Sequence, residues 1–199
     1  MRSLLVSGAG LLLIATLGCK SGVTVEQQDS TEFVRDGVRT HVVADATIRA
    51  DQPATNFGTR RELSVEKERD KVKQFLLRLA VEGVGDRQVI SAELHLRCSN
   101  PASSGGDFHL TNGGWDEYEV TWNNAPAAGE FIASLGEVSR DVHYIVDLSS
   151  VITGDGVYDF KVQSRAVEEA GFRSREYRTD APQLRIEVAS TGGEQTPGD

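Results

Sequence analysis

Short runs of alternating or continuous apolar residues, separated by clusters of turn-forming residues, recur along most of this chain. Such runs are typical of β-strands, because successive side chains of a strand point to opposite faces. The predicted strands cover residues 42–49, 63–65, 74–81, 90–98, 107–110, 120–122, 143–148, 157–164 and 183–188. Helical periodicity is scarce, and no strand–helix–strand rhythm appears. The pattern therefore predicts an all-β protein, either an antiparallel β-sandwich or a barrel.

Residues 1–18 are predicted to be an export signal rather than part of the fold. A positive start precedes an apolar stretch, Leu4 to Leu17, that is too short for a membrane-spanning helix. The stretch runs into Thr16-Leu17-Gly18-Cys19, which resembles a bacterial lipobox. Cys19 is therefore the predicted lipidation site, with acyl chains such as palmitate as the anchor. Ordinary secretion with an incidental Cys19 is the alternative. In a Gram-negative cell, Lys20 after the cysteine favours the outer membrane.

Composition divides the remaining chain into a tether, one domain and a tail. Residues 19–36 are rich in Ser, Gly, Gln, Asp and Glu, and are predicted to be a flexible tether. Residues 37–188 contain every predicted strand and are long enough to bury one substantial core. Residues 189–199 lack apolar periodicity and are predicted to be a disordered tail.

The charge and the polar residues exclude several functions. The formal net charge of −9 argues against an unspecific nucleic-acid binder, which needs excess cations to neutralise phosphates. The histidines show no metalloprotease or Cys/His spacing, and no nucleophile elbow or phosphate-binding loop appears. Cys98 alternates in phase with Leu94 and Leu96, which predicts a buried core thiol rather than a nucleophile. The sequence thus predicts a protein that is not an enzyme.

The most specific motif in the sequence is Trp115-Asp116-Glu117-Tyr118-Glu119-Val120-Thr121-Trp122-Asn123-Asn124-Ala125-Pro126. It resembles the W-x-E-x-x-V-T-W-N-N-x-P hallmark of the DNRLRE family, also called carbohydrate-binding module family 96. Shorter landmarks follow the family's order: Ala44-Asp45-Ala46-Thr47, Asn56-Phe57-Gly58, and Ser174-Arg175-Glu176 with the Pro182 and Leu184 that close the pattern. The resemblance spans about residues 42–188.

This resemblance implies an antiparallel β-sandwich of jelly-roll type that binds polysaccharide. Members of the family accompany polysaccharide lyases and other cell-wall or matrix enzymes, and some are thought to recognise acidic polymers such as alginate. No catalytic domain accompanies the module in this chain. The family-motif residues, interpreted here as mainly structural, are Asp45, Asn56, Trp115, Glu117, Trp122, Asn123, Asn124, Pro126 and Glu176.

Two interpretations of the motif tryptophans remain open. Trp115 and Trp122 could stack on sugar rings, since an indole face matches a pyranose. The favoured alternative is that both fill the sandwich core, with Asn123 and Asn124 forming a turn and Pro126 fixing its exit. Arg175 and Glu176 are predicted to form a structural ion pair.

Basic side chains that alternation places on outward strand faces are the better candidates for binding. An arginine fork matches a carboxylate bidentately, so a strand face with several cations could hold a uronic-acid polymer. A merely solvated face is the alternative. The candidates are Arg78, His95, Arg97, Lys161, Arg165 and Arg185.

Calcium is a possible cofactor, although the spacing of acidic residues matches no dedicated calcium loop. Asp45, Asn56 and Asp147 could help to ligate it, but turn and strand-end hydrogen bonds explain these residues equally well.

Two functions of different classes follow from these observations. The first is a non-catalytic polysaccharide-binding module held on the bacterial cell envelope by lipid. The second is a structural or adhesive surface protein that contacts protein partners through the same sandwich.

Overall fold

The structure, a computed structural model, describes residues 31–190 and contains eleven strands. The strands are β1 (Glu32–Arg35), β2 (Val38–Arg49), β3 (Glu62–Glu68), β4 (Lys71–Glu82), β5 (Val89–Asn100), β6 (Gly106–Thr111), β7 (Ala128–Leu135), β8 (His143–Asp147), β9 (Gly156–Gln163), β10 (Ala170–Arg173) and β11 (Gln183–Val188). None of the residues from 31 to 190 forms a helix, let alone one long and apolar enough to cross a membrane.

The strands form one curled antiparallel sheet that closes into two layers. Its hydrogen-bonded order is β11-β5-β10-β3-β4-β9-β6-β7, with β2 beside β4, β1 beside β2, and β8 beside β5. Strand β4 pairs with β2 along one side and with β9 along the other. The all-β, antiparallel β-sandwich prediction is confirmed.

The main core lies between the two layers and follows from alternation along the long strands. Strand β4 contributes Phe75, Leu77 and Leu79, each fully buried, while its intervening positions face the other way. The Phe75 ring packs edge-on against Phe108 and Phe172. Such edge-to-face packing is favourable beyond simple burial. The core predictions from period-two alternation therefore hold for the central strands.

Cys98 is fully buried in this core with Leu94 and Leu96, which confirms its predicted role. Burial raises the pKa of its thiol, against a smaller opposing effect of a backbone hydrogen bond at Asn100. A buried thiol that resists ionisation is a poor nucleophile.

One strand prediction is wrong and three strands were missed. Residues 120–122 form a loop, because Val120 and Trp122 pack under a turn rather than in a ladder. Strands β7 and β10 were missed, since β7 is half-exposed and β10 is very short. Strand β1 was also missed and lies within the predicted tether, where it pairs with β2. Residues 1–30 and 191–199, with the signal, Cys19 and most of the tail, lie outside the described residues.

Candidate functional site

Residues from four distant motifs meet in one cluster beside β2. We call Asp45, Asn56, Glu117, Arg175 and Glu176 the motif cluster. Strand β1 pairs with β2 only as far as His41, so the backbone at Asp45 lies beyond that pairing. There the Asp45 N–H donates to Glu117 Oε1 at 2.8 Å. The motif loop, residues 115–126, thereby satisfies a strand-edge amide that would otherwise be free to pair elsewhere.

Arg175 joins the two acidic residues of this contact. Its Nη1 donates to Glu117 Oε2 at 2.6 Å, and its backbone N–H donates to Asp45 Oδ2 at 2.8 Å. The predicted ion pair between Arg175 and Glu176 is wrong, because the buried Glu117 takes the guanidinium. The Glu176 carboxylate instead accepts the Ser174 hydroxyl at 2.7 Å.

Asn56 and Gly58 fix the position of the motif loop. Asn56 Nδ2 donates to the carbonyls of Glu117 and Val120 at 2.8 and 2.7 Å, and its Oδ1 accepts the Gly58 N–H at 3.1 Å. A Cβ at Gly58 would lie 1.9 Å from the Glu117 carbonyl oxygen. The Asn-x-Gly motif is therefore explained by a backbone contact that only glycine allows.

The acidic groups of the motif cluster are close together and largely buried. One carboxylate oxygen from each of Asp45, Glu117 and Glu176 lies within 4.8 Å of the other two. Burial raises the pKa of Asp45 well above its usual value, and the Arg175 amide only partly opposes this. Burial also raises the pKa of Glu117, with the Asp45 N–H and the Arg175 charge acting in the opposite direction.

The two motif tryptophans lie outside the main core. They belong to a second core, the outer small core, on the far face of β2 and β4 from the main core. Its buried members are Ala44, Ala46, Ile48, Leu76, Trp115 and Val120, with Trp122 and Ala125 partly buried against them. We expected both tryptophans to fill the core between the two layers, and this is wrong. They pack in the outer small core because the motif loop folds over the outside of the sheet.

Trp115 has little free surface for a sugar ring. It is 6% exposed, and its indole N–H donates to Asp159 Oδ1 at 2.6 Å. The Arg78 guanidinium lies 4.7 Å from the ring centroid. A stacking role for this residue would require the loop to move.

The remaining motif residues make local contacts in the loop. Asn124 Oδ1 accepts the Thr121 N–H at 2.6 Å, which closes the turn. The Asn123 N–H donates to the Pro53 carbonyl at 3.1 Å, and the Pro126 carbonyl accepts Lys161 Nζ at 2.8 Å.

The six candidate cations do not share one face. Arg78 and Lys161 point to the outer small core, on the layer containing β4 and β9. Arg78 Nε donates to Asp159 at 2.9 Å. Lys161 is only 8% exposed because the motif loop covers it, and burial lowers its pKa. Neither group is open to a polymer.

Three others lie together on the outer face of β5, β8 and β11 in the opposite layer. His95 pairs across the ladder with Gln183, and Arg185 pairs with Glu93. Arg97 Nη2 donates to Asp141 at 3.3 Å, while exposed Arg185 donates to Gln183 at 2.9 Å.

His95 is half-buried on this outer face, and its Nε2 lies 3.3 Å from Glu93. Burial lowers the pKa of His95, and the Arg185 charge lowers it further. The sixth candidate, Arg165, follows the end of β9, is exposed, and hydrogen bonds to Asp107 of β6.

A groove that sequence analysis missed holds a denser set of cations. It has a volume of about 570 Å³ and lies between the ends of β2, β3 and β4 and the loop after Asn56. We call this cavity the groove. Its lining consists of charged and aromatic residues together with Thr47, Thr59 and Ser64. The cations are Arg49, Arg60, Arg61 and Lys73, the carboxylates are Glu62 and Glu169, and the aromatic rings belong to Phe57 and Tyr177.

Two of these cations are neutralised and two are not. Lys73 Nζ contacts Glu66 at 2.9 Å and also Glu169, while Arg49 pairs with Asp51 at 2.7 Å. Arg60 and Arg61 have no carboxylate within 4.0 Å in the described part of the chain.

The guanidinium groups of Arg60 and Arg61 face aromatic rings instead of carboxylates. Arg60 lies 5.7 Å from the Phe57 ring centroid, and Arg61 lies 4.7 Å from that of Tyr177. The one Arg-Arg pair in the sequence was the available signal, but these residues sit in a loop where alternation makes no prediction.

The three residues predicted as calcium ligands do not lie in one place. Asp45 and Asn56 belong to the motif cluster. Asp147 lies on β8, and its carboxylate accepts the Ser149 N–H at 2.9 Å and the Ser149 hydroxyl at 2.5 Å, which lower its pKa. Asp147 is thus an ordinary turn cap.

Comparison with known proteins agrees with the motifs. None of the curated proteins compared with this chain matches it. A family model described as carbohydrate-binding module family 96 matches residues 37–188, which is well over half of the chain. The chain is therefore a carbohydrate-binding module and belongs to carbohydrate-binding module family 96.

Proposed function

We propose that this protein is a non-catalytic module that binds acidic polysaccharide in the groove and is held on the bacterial cell envelope through lipid on Cys19. The observation that carries the glycan preference is the pair Arg60 and Arg61, exposed at the groove without carboxylate partners. A uronic-acid polymer presents carboxylates at regular intervals, and two adjacent guanidinium groups can each bind one.

The balance of charge in the groove supports the same ligand class. Its lining has more cations than carboxylates, although the whole chain carries a net charge of −9. Long-range attraction of a polyanion is therefore weak, so binding depends on local contacts. Such contacts between exposed charges weaken as salt rises. Phe57 is buried beneath Arg49 and Arg60, and Arg61 and Arg173 lie against the Tyr177 ring. The rings therefore hold the guanidinium groups in place rather than offering free faces to a sugar.

Affinity electrophoresis tests the ligand class. The full-length protein is run through gels containing alginate, pectin or an uncharged cellulose derivative, and its mobility is compared with that in a plain gel. We expect retardation by alginate and pectin only, and loss of it at high salt. Retardation by the uncharged polymer alone would overturn the acidic preference. No retardation in any gel would favour the structural or adhesive alternative.

Matched variants test the position of the site. Arg60→Ala and Arg61→Ala should each weaken the affinity derived from retardation about tenfold, which is a loss of roughly 1.4 kcal/mol of binding free energy. Arg185→Ala removes the same charge from the outer face of β11 and should bind like the wild type. If Arg185→Ala loses affinity about tenfold and Arg60→Ala binds like the wild type, the binding site lies on the outer face of β11 instead.

The lipid anchor has an independent test. Cells given labelled palmitate should incorporate the label into the wild type, which should fractionate with membranes. Cys19→Ala should lose both the label and the membrane association. Label retained in Cys19→Ala would contradict lipidation at this residue.

A further inference from the structure

We propose that the motif cluster is a site for a divalent cation of the calcium class, bound by the carboxylates of Asp45, Glu117 and Glu176. These residues come from β2, the motif loop and the segment after β10. A cation there would join three segments that are distant in the sequence. The proposal does not depend on the glycan-binding groove.

The spacing of the oxygens fits one shared ion. The three carboxylate oxygens lie within 4.8 Å of one another. Calcium–oxygen distances are about 2.3–2.6 Å, so two ligands on opposite sides of one ion are up to about 5 Å apart. All three residues can therefore reach the same calcium ion with little rearrangement.

An unpartnered buried oxygen is the second, independent observation. Asp45 is 1% exposed, and its Oδ1 has no hydrogen-bond partner among the described residues. Its other oxygen accepts the Arg175 N–H. Buried polar atoms are nearly always paired, so an unpaired one in a native structure needs an explanation, and a bound water or ion is one of them. A cation in the cluster supplies that partner.

The charge balance favours a dication. The ionised carboxylates carry three negative charges, and the Arg175 guanidinium that contacts Glu117 returns one positive charge, which leaves a net charge of −2. A divalent cation brings the group to neutrality.

The donor set indicates which metals fit. The cluster offers oxygen only, which suits hard cations such as calcium and not the softer metals that prefer imidazole or thiolate. Calcium takes about six to eight oxygens, so waters complete the shell beside the half-buried Glu176.

Calorimetric titration of the chelator-treated full-length protein with calcium chloride tests the proposal. We expect one ion per chain, with a Kd at or below the range of about 0.1–1 mM that is typical of extracellular calcium modules. The midpoint of thermal unfolding should rise by about 5–10 °C once calcium exceeds its Kd a hundredfold. Absence of both the binding heat and the midpoint shift would overturn the proposal.

Variants locate the ion. Asp45→Asn and Glu176→Gln keep the side-chain shape and remove one ligand charge each, so calcium affinity should fall at least tenfold. Glu176→Gln is the safer test, because Glu176 is less buried and its folding can be checked by circular dichroism. Asp147→Asn is the matched control and should bind calcium like the wild type. Unchanged affinity in folded Glu176→Gln would place any bound calcium elsewhere and overturn the assignment.

Discussion

The motif cluster and the groove lie close to each other but use their charged residues in opposite ways. In the motif cluster, Glu117 accepts from both the Asp45 amide and the Arg175 guanidinium, and each contact joins two segments of the fold. In the groove, Arg60 and Arg61 face rings and solvent without carboxylate partners in the described part of the chain.

This difference distinguishes scaffold residues from the proposed glycan site. Apart from the unpartnered Asp45 Oδ1, residues of the family motif satisfy buried polar groups and fill the outer small core, so they determine where the loops lie. Residues that retain unneutralised charge at an open surface are free to bind a ligand. Recognition of a family from its motif therefore identifies the fold more directly than it identifies the binding residues.

Truncation of Trp115 should produce the largest loss of stability. Trp115→Ala removes the biggest side chain of the outer small core and leaves the Asp159 carboxylate without the indole donor. We expect the free energy of unfolding to fall by about 4 kcal/mol. Urea unfolding measures this. Tyr118→Ala, in the same loop but 62% exposed, should change stability by less than about 0.5 kcal/mol. Equal losses in both variants would show that the loop does not form a core.

Within the groove, the neutralised and the free cations should respond differently to the same substitution. Lys73→Met leaves Glu66 and Glu169 without their shared partner, and should lower the free energy of unfolding by about 3 kcal/mol. Arg61→Met removes an exposed charge with no carboxylate partner and should change stability by under about 1 kcal/mol. Urea unfolding of both variants gives the comparison. A larger loss in Arg61→Met would mean that this arginine is structural.

A methyl group at Gly58 should perturb the contact between two motifs. Gly58→Ala places a Cβ against the Glu117 carbonyl, so the Asn56 turn and the motif loop must move apart. We expect a loss of about 2 kcal/mol, the usual range for overpacking. Gly136→Ala is the matched control, because a Cβ there meets nothing within 4 Å. If Gly58→Ala unfolds at the wild-type denaturant concentration, the two motifs are not in tight contact.

The sequence predicted the sandwich well because alternation and the order of the motifs can both be recognised without knowing which strands pack together. The run at residues 183–188 coincides with β11, and the central strands were placed to within a few residues. Alternation gives the direction of a side chain but not what covers it. Lys161 does point away from the main core, yet the motif loop buries it.

The candidate site was harder to predict for a related reason. His95 and Arg78 both lie on outward faces, but the curled sheet puts them on opposite layers. The groove is formed by a loop and strand ends, where no periodic pattern exists. Arg60 and Tyr177 are far apart in the sequence, and only the fold brings them to one surface.

The smallest expected effect concerns pH and the outer face of β5. Burial and the Arg185 charge lower the pKa of His95, while Glu93 opposes them and His143 adds a minor lowering effect. The unfolded chain therefore takes up a proton at this residue before the folded chain does. Stability should fall as pH drops below about 6.5, the unperturbed value, towards the folded pKa.

Unfolding experiments between about pH 7 and pH 5 test this sign, because histidine is the side chain that normally titrates in this range. His95→Gln cannot titrate, so its stability relative to the wild type should rise as pH falls. In proteins that keep His95, Glu93→Gln removes the opposing carboxylate and should make the loss of stability with falling pH steeper. Arg185→Ala should make that loss shallower. If the stability of His95→Gln relative to the wild type falls as the pH falls, the folded protein favours the charged imidazole. In that case Glu93 would outweigh burial, and the outer face would hold an ion pair like the Arg175–Glu117 pair of the motif cluster.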